Sequence, residues 1–334
     1  MSIRRSYLLM VAFLAALAAD LLVPALAAAA EKATLRLDWR LVGYHLPFYW
    51  AQAKGYYAQE GIDLAIGEGT GSGTTVQIMS ANKDTFGFAD ATVMASGVGK
   101  GMQMKAVASP LPLTAWAYVS YAGSGLKAPQ DLIGKSVAVV PAHETLHQLF
   151  LERHNIPADK VLRRVATPQT RNVLFADKKV EAFLSIIIGS PLDFVVKEKQ
   201  GGEKISFLRF SDWGVDSMGY AILVHNQTLA EKPGLVRAFL RATRRAWMEV
   251  PAHLDEALRI AVERAPTGQG HEEAIRLGWL ESQKLTQTAN TKGKPWGWMA
   301  EADWDQTQKV LLSTKQVEKS IPLDQYYSNA FLPE

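Results

Sequence analysis

The chain has 334 residues, 48% of them hydrophobic and 21% charged, which is enough apolar side chain for two buried cores and too much for global disorder. Arg4, Arg5 and Asp20 account for +1 of a formal net charge of +3, so the sequence after residue 30 carries only +2 and gives no electrostatic footprint for nucleic acid. Cysteine is absent, which excludes disulfides, thiolate metal sites and a cysteine nucleophile.

The first element is an export signal over residues 1–30. Arg4-Arg5 precedes an apolar run at 7–19, and Ala25-Leu26-Ala27 and Ala28-Ala29-Ala30 supply small residues for cleavage. Asp20 interrupts the apolar stretch and leaves it shorter than the roughly 20 residues a membrane-spanning helix needs. Arg4-Arg5-Ser6-Tyr7-Leu8-Leu9 also resembles a twin-arginine signal. The expected location is the periplasm, with the chain free or tethered outside the cytoplasmic membrane.

Alternation at 35–37 predicts a strand, helical spacing of apolar residues predicts a helix over 48–59 ending at Gly61, and 62–66 reads as a second strand. A glycine-rich turn at 67–73, a helix at 74–80 and a strand at 85–89 complete a strand–helix alternation that argues for a largely parallel sheet. The pattern restarts after a Gly- and Pro-containing loop at 122–129. There 136–140 is a β-branched run typical of a buried strand, 144–153 a helix, 169–176 and 181–188 a second unit. Residues 221–224 read as a strand, and 229–248 as an amphipathic helix with Leu235, Val236, Phe239, Leu240 and Trp247 on its inner face.

Several stretches carry a resemblance to a known family. Leu37-Asp38-Trp39, Tyr44-His45-Leu46-Pro47-Phe48-Tyr49-Trp50-Ala51, Glu60-Gly61-Ile62-Asp63-Leu64 and Asn82-Lys83-Asp84-Thr85-Phe86-Gly87-Phe88-Ala89-Asp90 are four of them; Leu132-Ile133-Gly134-Lys135 and Tyr327-Ser328-Asn329-Ala330-Phe331-Leu332 extend the match to the C-terminus. Together they resemble the thiamine-pyrimidine-precursor binding proteins and the related nitrate, sulfonate and taurine binding proteins of bacterial ABC importers, a superfamily that includes eukaryotic thiamine-pyrimidine synthase. The resemblance implies an α/β, two-lobe periplasmic binding protein of type II with the ligand cleft between lobes. Residues 31–118 and 224–334 would form lobe I and 119–223 lobe II, with crossings near 118–121 and 220–223. It further implies a monomer that binds a small molecule, needs no cofactor, and meets the membrane only through an ABC permease and its ATPase.

Candidate ligand contacts follow from strand ends and helix N-termini, where free backbone N–H groups face a cleft. Trp39 offers a flat face for a planar ring, with His45 and Tyr49 beside it; the alternatives are a core tryptophan and a helix-capping histidine. Gly71, Ser72, Gly73 and Thr74 suit close backbone approach and hydroxyl donation, since the loop matches neither a dinucleotide nor a phosphate motif. Asp90 closes the third of these strands. His143 and Glu144 open the main helix of the middle section, Ile188 lies in the strand end at 185–190, and Trp213 and Asp216 precede the return crossing. An acidic contact there would favour an amino-bearing ligand.

His143-Glu144-Thr145-Leu146-His147 also matches the HExxH pattern of zinc hydrolases, although Arg153 stands at the third-ligand position of the extended motif. Arg237, Arg241, Arg244 and Arg245 form a basic stripe, expected to be a solvated face or a permease-docking surface. The preferred expectation is a non-enzymatic receptor for a planar or heteroaromatic ligand. Sulfonate, taurine, nitrate and aromatic carboxylates are the alternative ligands; a zinc hydrolase or a pyrimidine-synthesis enzyme are the alternatives of another class. The Cys-rich motif of the eukaryotic synthases is missing here.

Overall fold

The computed structural model describes residues 30–333; the expected export signal falls outside the described residues except for Ala30. Ten strands form two separate five-stranded sheets. The first contains β1 (Glu31–Arg36), β2 (Ile62–Gly67), β3 (Phe86–Asp90), β4 (Met104–Leu113) and β10 (Met218–His225), in the order β2-β1-β3-β10-β4. The second contains β5 (Trp116–Tyr121), β6 (Ser136–Val139), β7 (Leu162–Val165), β8 (Ala182–Ile186) and β9 (Ile205–Arg209), in the order β7-β6-β8-β5-β9.

Both sheets are mixed in the same way. β10 pairs antiparallel with β3 and β4, and β5 pairs antiparallel with β8 and β9, whereas β1, β2 and β3, like β6, β7 and β8, are joined by parallel ladders. One strand therefore runs against four in each sheet, and that strand is the first after the chain has crossed from the other sheet. The crossings lie at 114–115 and 210–217. Residues 118–121, where the resemblance implied a crossing, sit inside β5 and 220–223 inside β10, so the crossings fall a few residues earlier than expected. Those runs are buried ladder strands, while the passages themselves are short irregular segments.

Helices cover the sheets: α1 (Leu46–Ala53), α2 (Tyr56–Gln59), α3 (Ser72–Ser80), α4 (Ala91–Gly99), α5 (Glu144–Arg153), α6 (Pro168–Ala176), α7 (Leu192–Lys199), α8 (Asn226–Glu231), α9 (Pro233–Glu249), α10 (Leu254–Arg264), α11 (Glu272–Ser282) and α12 (Glu301–Ser313). The helix expected over 48–59 is two helices, because Gly55 takes a left-handed conformation with φ of 71°. The one expected over 229–248 is likewise split before Pro233, whose ring cannot donate a backbone hydrogen bond. α9 buries Leu235, Val236, Phe239, Leu240 and Trp247. Phe239 stacks on Phe86 of β3 at 3.8 Å between centroids and on Tyr57 at 5.3 Å, which fastens this C-terminal helix to the sheet built by the N-terminal strands.

The two layers also touch directly. Asp193 of α7 accepts from Arg40 at 3.2 Å and pairs with His271 Nδ1 at 2.7 Å, and α7 packs on α11. Gly278 of α11 lies against the Ile188 carbonyl, where an added Cβ would come within 2.9 Å. No helix among the described residues is long and apolar enough to cross a membrane.

Candidate functional site

The C-terminal ends of the parallel strands of both sheets converge on a cavity of about 440 Å³. This is the crevice in which open α/β sheets bind ligands, because strand ends leave backbone groups and loop side chains free there. From the first sheet come Asp38, Trp39 and Tyr44 after β1, Thr70 to Thr74 after β2, and Tyr220 from β10. From the second come Trp116, Val140, Pro141, His143, Pro168, Arg171, Ser185, Ile186, Gly189 and Ser190.

The β1 and β2 ends are bound to each other. Gly69 N–H donates to the Trp39 carbonyl and Gly71 N–H to the Asp38 carbonyl, at 3.2 and 2.7 Å. Only glycine fits at 69, since a Cβ would lie 2.2 Å from the Leu37 carbonyl oxygen, and Gly71 holds φ at 140° as it opens α3. Sequence composition thus fixes the first turn of α3 on the cavity wall, together with the half-buried Trp39.

On that wall Asp38 is largely buried, and its two oxygens accept from the Tyr44 hydroxyl at 3.1 Å and pair with His45 Nε2 at 2.8 Å. The Val42 amide donates to His45 Nδ1 at 3.4 Å, so Nε2 carries the imidazole proton and donates to Asp38. Burial, with the Asp38 charge second, pushes the Tyr44 hydroxyl well above its ordinary range, and burial does the same to Tyr220. Both phenols are therefore neutral donors at any working pH.

Asp90 links the two sheets. One of its oxygens caps α4 through the Val93 amide at 3.0 Å; the other accepts from the indole N–H of Trp116, the first residue of β5, also at 3.0 Å. Burial pushes the Asp90 carboxyl up to about 7 despite these hydrogen bonds. Trp116 in turn packs edge-on against His143, with ring centroids 4.3 Å apart. The His143 imidazole is pushed down to about 3 by burial and by the Arg171 charge, so it is neutral, and its Nδ1 is buried without a hydrogen-bond partner.

Of the residues singled out from sequence, Trp39, Gly71, Ser72, Gly73, Thr74 and His143 line the cavity. His45 and Tyr49 are buried behind it, His45 holding Asp38. Asp90 is buried beneath Ser72, whose Oγ accepts from the Asp90 amide at 3.1 Å. Glu144 faces Arg163 and a neighbouring crevice, Ile188 packs in the core, and Trp213 and Asp216 are exposed and off the cavity wall. Trp116 and Arg171 also line the cavity, and their patterns are silent: a tryptophan opening a strand and an arginine inside a polar-looking helix carry no signal of their own. The two histidines of the HExxH pattern have different neighbours, His143 on Trp116 and His147 within 2.7 Å of the Tyr118 hydroxyl. His143 ends a 3₁₀ turn and α5 starts at Glu144, so the two do not stand on one helix face. Among the described residues no group of three or more His, Asp or Glu side chains is placed to hold a metal. In the basic stripe, Arg241 pairs with Glu60 and Arg245 with Glu249.

This constellation can hold a small planar solute between aromatic walls with polar groups at both ends. Comparison with known proteins gives the family. Residues 42–257 match the family model described as NMT1/THI5 like. The chain belongs to the NMT1/THI5-like family. Among its relatives are the riboflavin-binding protein RibY of Chloroflexus aurantiacus, 24% identical over 86% of this chain and 82% of that one, and a 4-amino-5-hydroxymethyl-2-methylpyrimidine phosphate synthase of Legionella pneumophila, 22% identical over 91% and 93%. The fold is that of periplasmic binding proteins: the alkanesulfonate-binding protein SsuA from Xanthomonas axonopodis pv. citri, solved bound to MOPS, superposes with a TM-score of 0.65 over 89% of this chain and 98% of that one, at 11% identity. Relatives of this chain thus carry both binding-protein and synthase names.

Proposed function

We propose that this chain is the extracytoplasmic substrate-binding subunit of an ABC importer, holding one small planar, polar ligand between its two lobes and transforming nothing. The observation that carries this reading is the cavity of about 440 Å³ whose walls come from both sheets, with Trp39 and Tyr220 on one side and Trp116 on the other. A ligand touching both walls binds the closed arrangement better than the open one, and that differential shifts the population toward closure. The moving units are the two sheets with their helices, hinged at 114–115 and 210–217. A periplasmic location is supported by the likeness in fold to periplasmic binding proteins and by the expected signal. The permease would read the closed form.

Synthase relatives raise the rival reading of an enzyme. A thermal-shift panel of aminopyrimidines, flavins, aromatic carboxylates, sulfonates and nitrate, with each compound recovered and weighed by mass spectrometry, separates the two. Stabilisation by one chemical class with the compound recovered intact is expected. Recovery of a converted product would overturn the receptor reading.

A further inference from the structure

Arg171 is 3% exposed, lies on the cavity wall, and has no carboxylate within ion-pairing distance among the described residues. Its partners are all neutral. Nε donates to Asn172 Oδ1 at 3.2 Å, Nη2 to the same oxygen and to Ser190 Oγ at 3.0 Å each, and Nη1 to the Leu184 carbonyl at 3.0 Å. The Phe183 ring lies beneath the guanidinium, 4.9 Å from its carbon. These contacts use four of the five N–H protons and leave one, on Nη1. They satisfy hydrogen-bonding capacity but supply no negative charge, and a buried, uncompensated cation is costly. A purely structural brace between α6 and the β8 end would work as well, and more cheaply, with a neutral donor.

Ser190 accepts from Arg171, so its own hydroxyl proton is free for another acceptor. Beside it on the same wall are the Ser185 hydroxyl and His143, with its buried, unpartnered Nδ1. Across the cavity the wall carries the Asp38 carboxylate and the Tyr44 phenol. The cavity is therefore polarised, cationic at the β8 end and acidic at the β1 end.

Resting on the receptor reading above, we infer that the ligand is a small aromatic or heteroaromatic carboxylate, its carboxylate on Arg171 and Ser190 and an N–H or amino group toward Asp38. The remaining Nη1 proton and the Ser190 hydroxyl match the two oxygens of a carboxylate, whereas a sulfonate would leave a third oxygen without a donor of this pair. His143, held neutral, adds a hydrogen bond without adding charge.

The test compares acid and amide pairs on the full mature chain by isothermal titration calorimetry: nicotinate against nicotinamide, 4-aminobenzoate against 4-aminobenzamide, with benzenesulfonate, an aminopyrimidine and riboflavin alongside. The acids are expected to bind about 10- to 100-fold more tightly than their amides at pH 7, as a hydrogen bond to a charged partner implies. That preference should persist to pH 10, because a guanidinium that donates four hydrogen bonds keeps its proton. Arg171→Gln should erase the preference, and Arg171→Lys should restore part of it. Because Arg171→Gln can weaken the fold, the acid-to-amide ratio in the unaltered protein stands as an independent readout. Tighter binding of the amides, of benzenesulfonate or of the neutral heterocycles would overturn the carboxylate assignment while leaving the receptor reading intact. Binding of none of these would overturn both.

Discussion

Replacing Trp116 with phenylalanine keeps an aromatic ring at the start of β5 but removes the indole N–H that reaches Asp90 Oδ2 at 3.0 Å. Both residues are buried, so no water replaces the lost donor. The loss depends on the charge of Asp90, which titrates near 7. Below that pH the carboxyl is neutral and the lost hydrogen bond costs about 1 kcal/mol; above it the carboxylate is charged and the cost rises to about 2–3 kcal/mol. Removing the donor also drives the Asp90 pKa higher, which by linkage makes the variant lose stability more steeply than the parent as pH increases through 7. Urea denaturation of both proteins at pH 5.5 and pH 8.5 measures the difference. A destabilisation larger by about 1 kcal/mol or more at pH 8.5 is expected. Equal destabilisation at the two pH values would refute the argument that Asp90 carries its charge only above neutrality and that Trp116 stabilises it.

Other consequences can be checked separately. Asp90→Asn should gain stability relative to the parent as pH rises from 4 through 7, because a carboxyl whose folded pKa is raised contributes stability at low pH that is lost as it ionises; melting curves of the pair at pH 4.5 and 8 show this, and comparing at each pH cancels His143 and His147, which are held at about 3 and about 4 and act in the opposite sense. Gly69→Ala should cost about 1–3 kcal/mol and weaken ligand binding, because its Cβ would meet the Leu37 and Asp38 backbone that positions the cavity wall; calorimetry with the best-binding compound reads both effects. Asp193→Asn removes the shared partner of Arg40 and His271 across the seam, and since such partly exposed pairs are worth about 0.2–1 kcal/mol it should weaken closure and affinity by about fivefold at most, with little change in melting temperature of the unliganded protein.

The sheet strands were legible in sequence where they are simplest. The β-branched run at 136–140 holds a strand buried from Val137 to Val139, and 62–66 alternates, with Ile62 and Leu64 buried and Asp63 and Ala65 exposed. β4 drew no strand expectation; it carries Pro110 and Pro112, which are tolerated because it lies at the edge of its sheet. β7 was hidden as an edge strand that is exposed along its length and shows no alternation. Within the site, glycine and hydroxyl residues at 71–74 announced close backbone approach, and they line the cavity. Arg171 announced nothing. Its place depends on α6 folding back over the end of β8, a long-range contact that local pattern does not encode, and the same holds for the approach of Trp116 to Asp90.

Native mass spectrometry of the protein released gently from its own compartment addresses the central claim most directly. One small molecule per chain should be carried by the parent and lost from Thr74→Trp, whose side chain would project from an exposed position on the cavity wall and fill the space without disturbing either core. A bound molecule of unchanged mass and occupancy in that variant would place the ligand elsewhere and contradict the account.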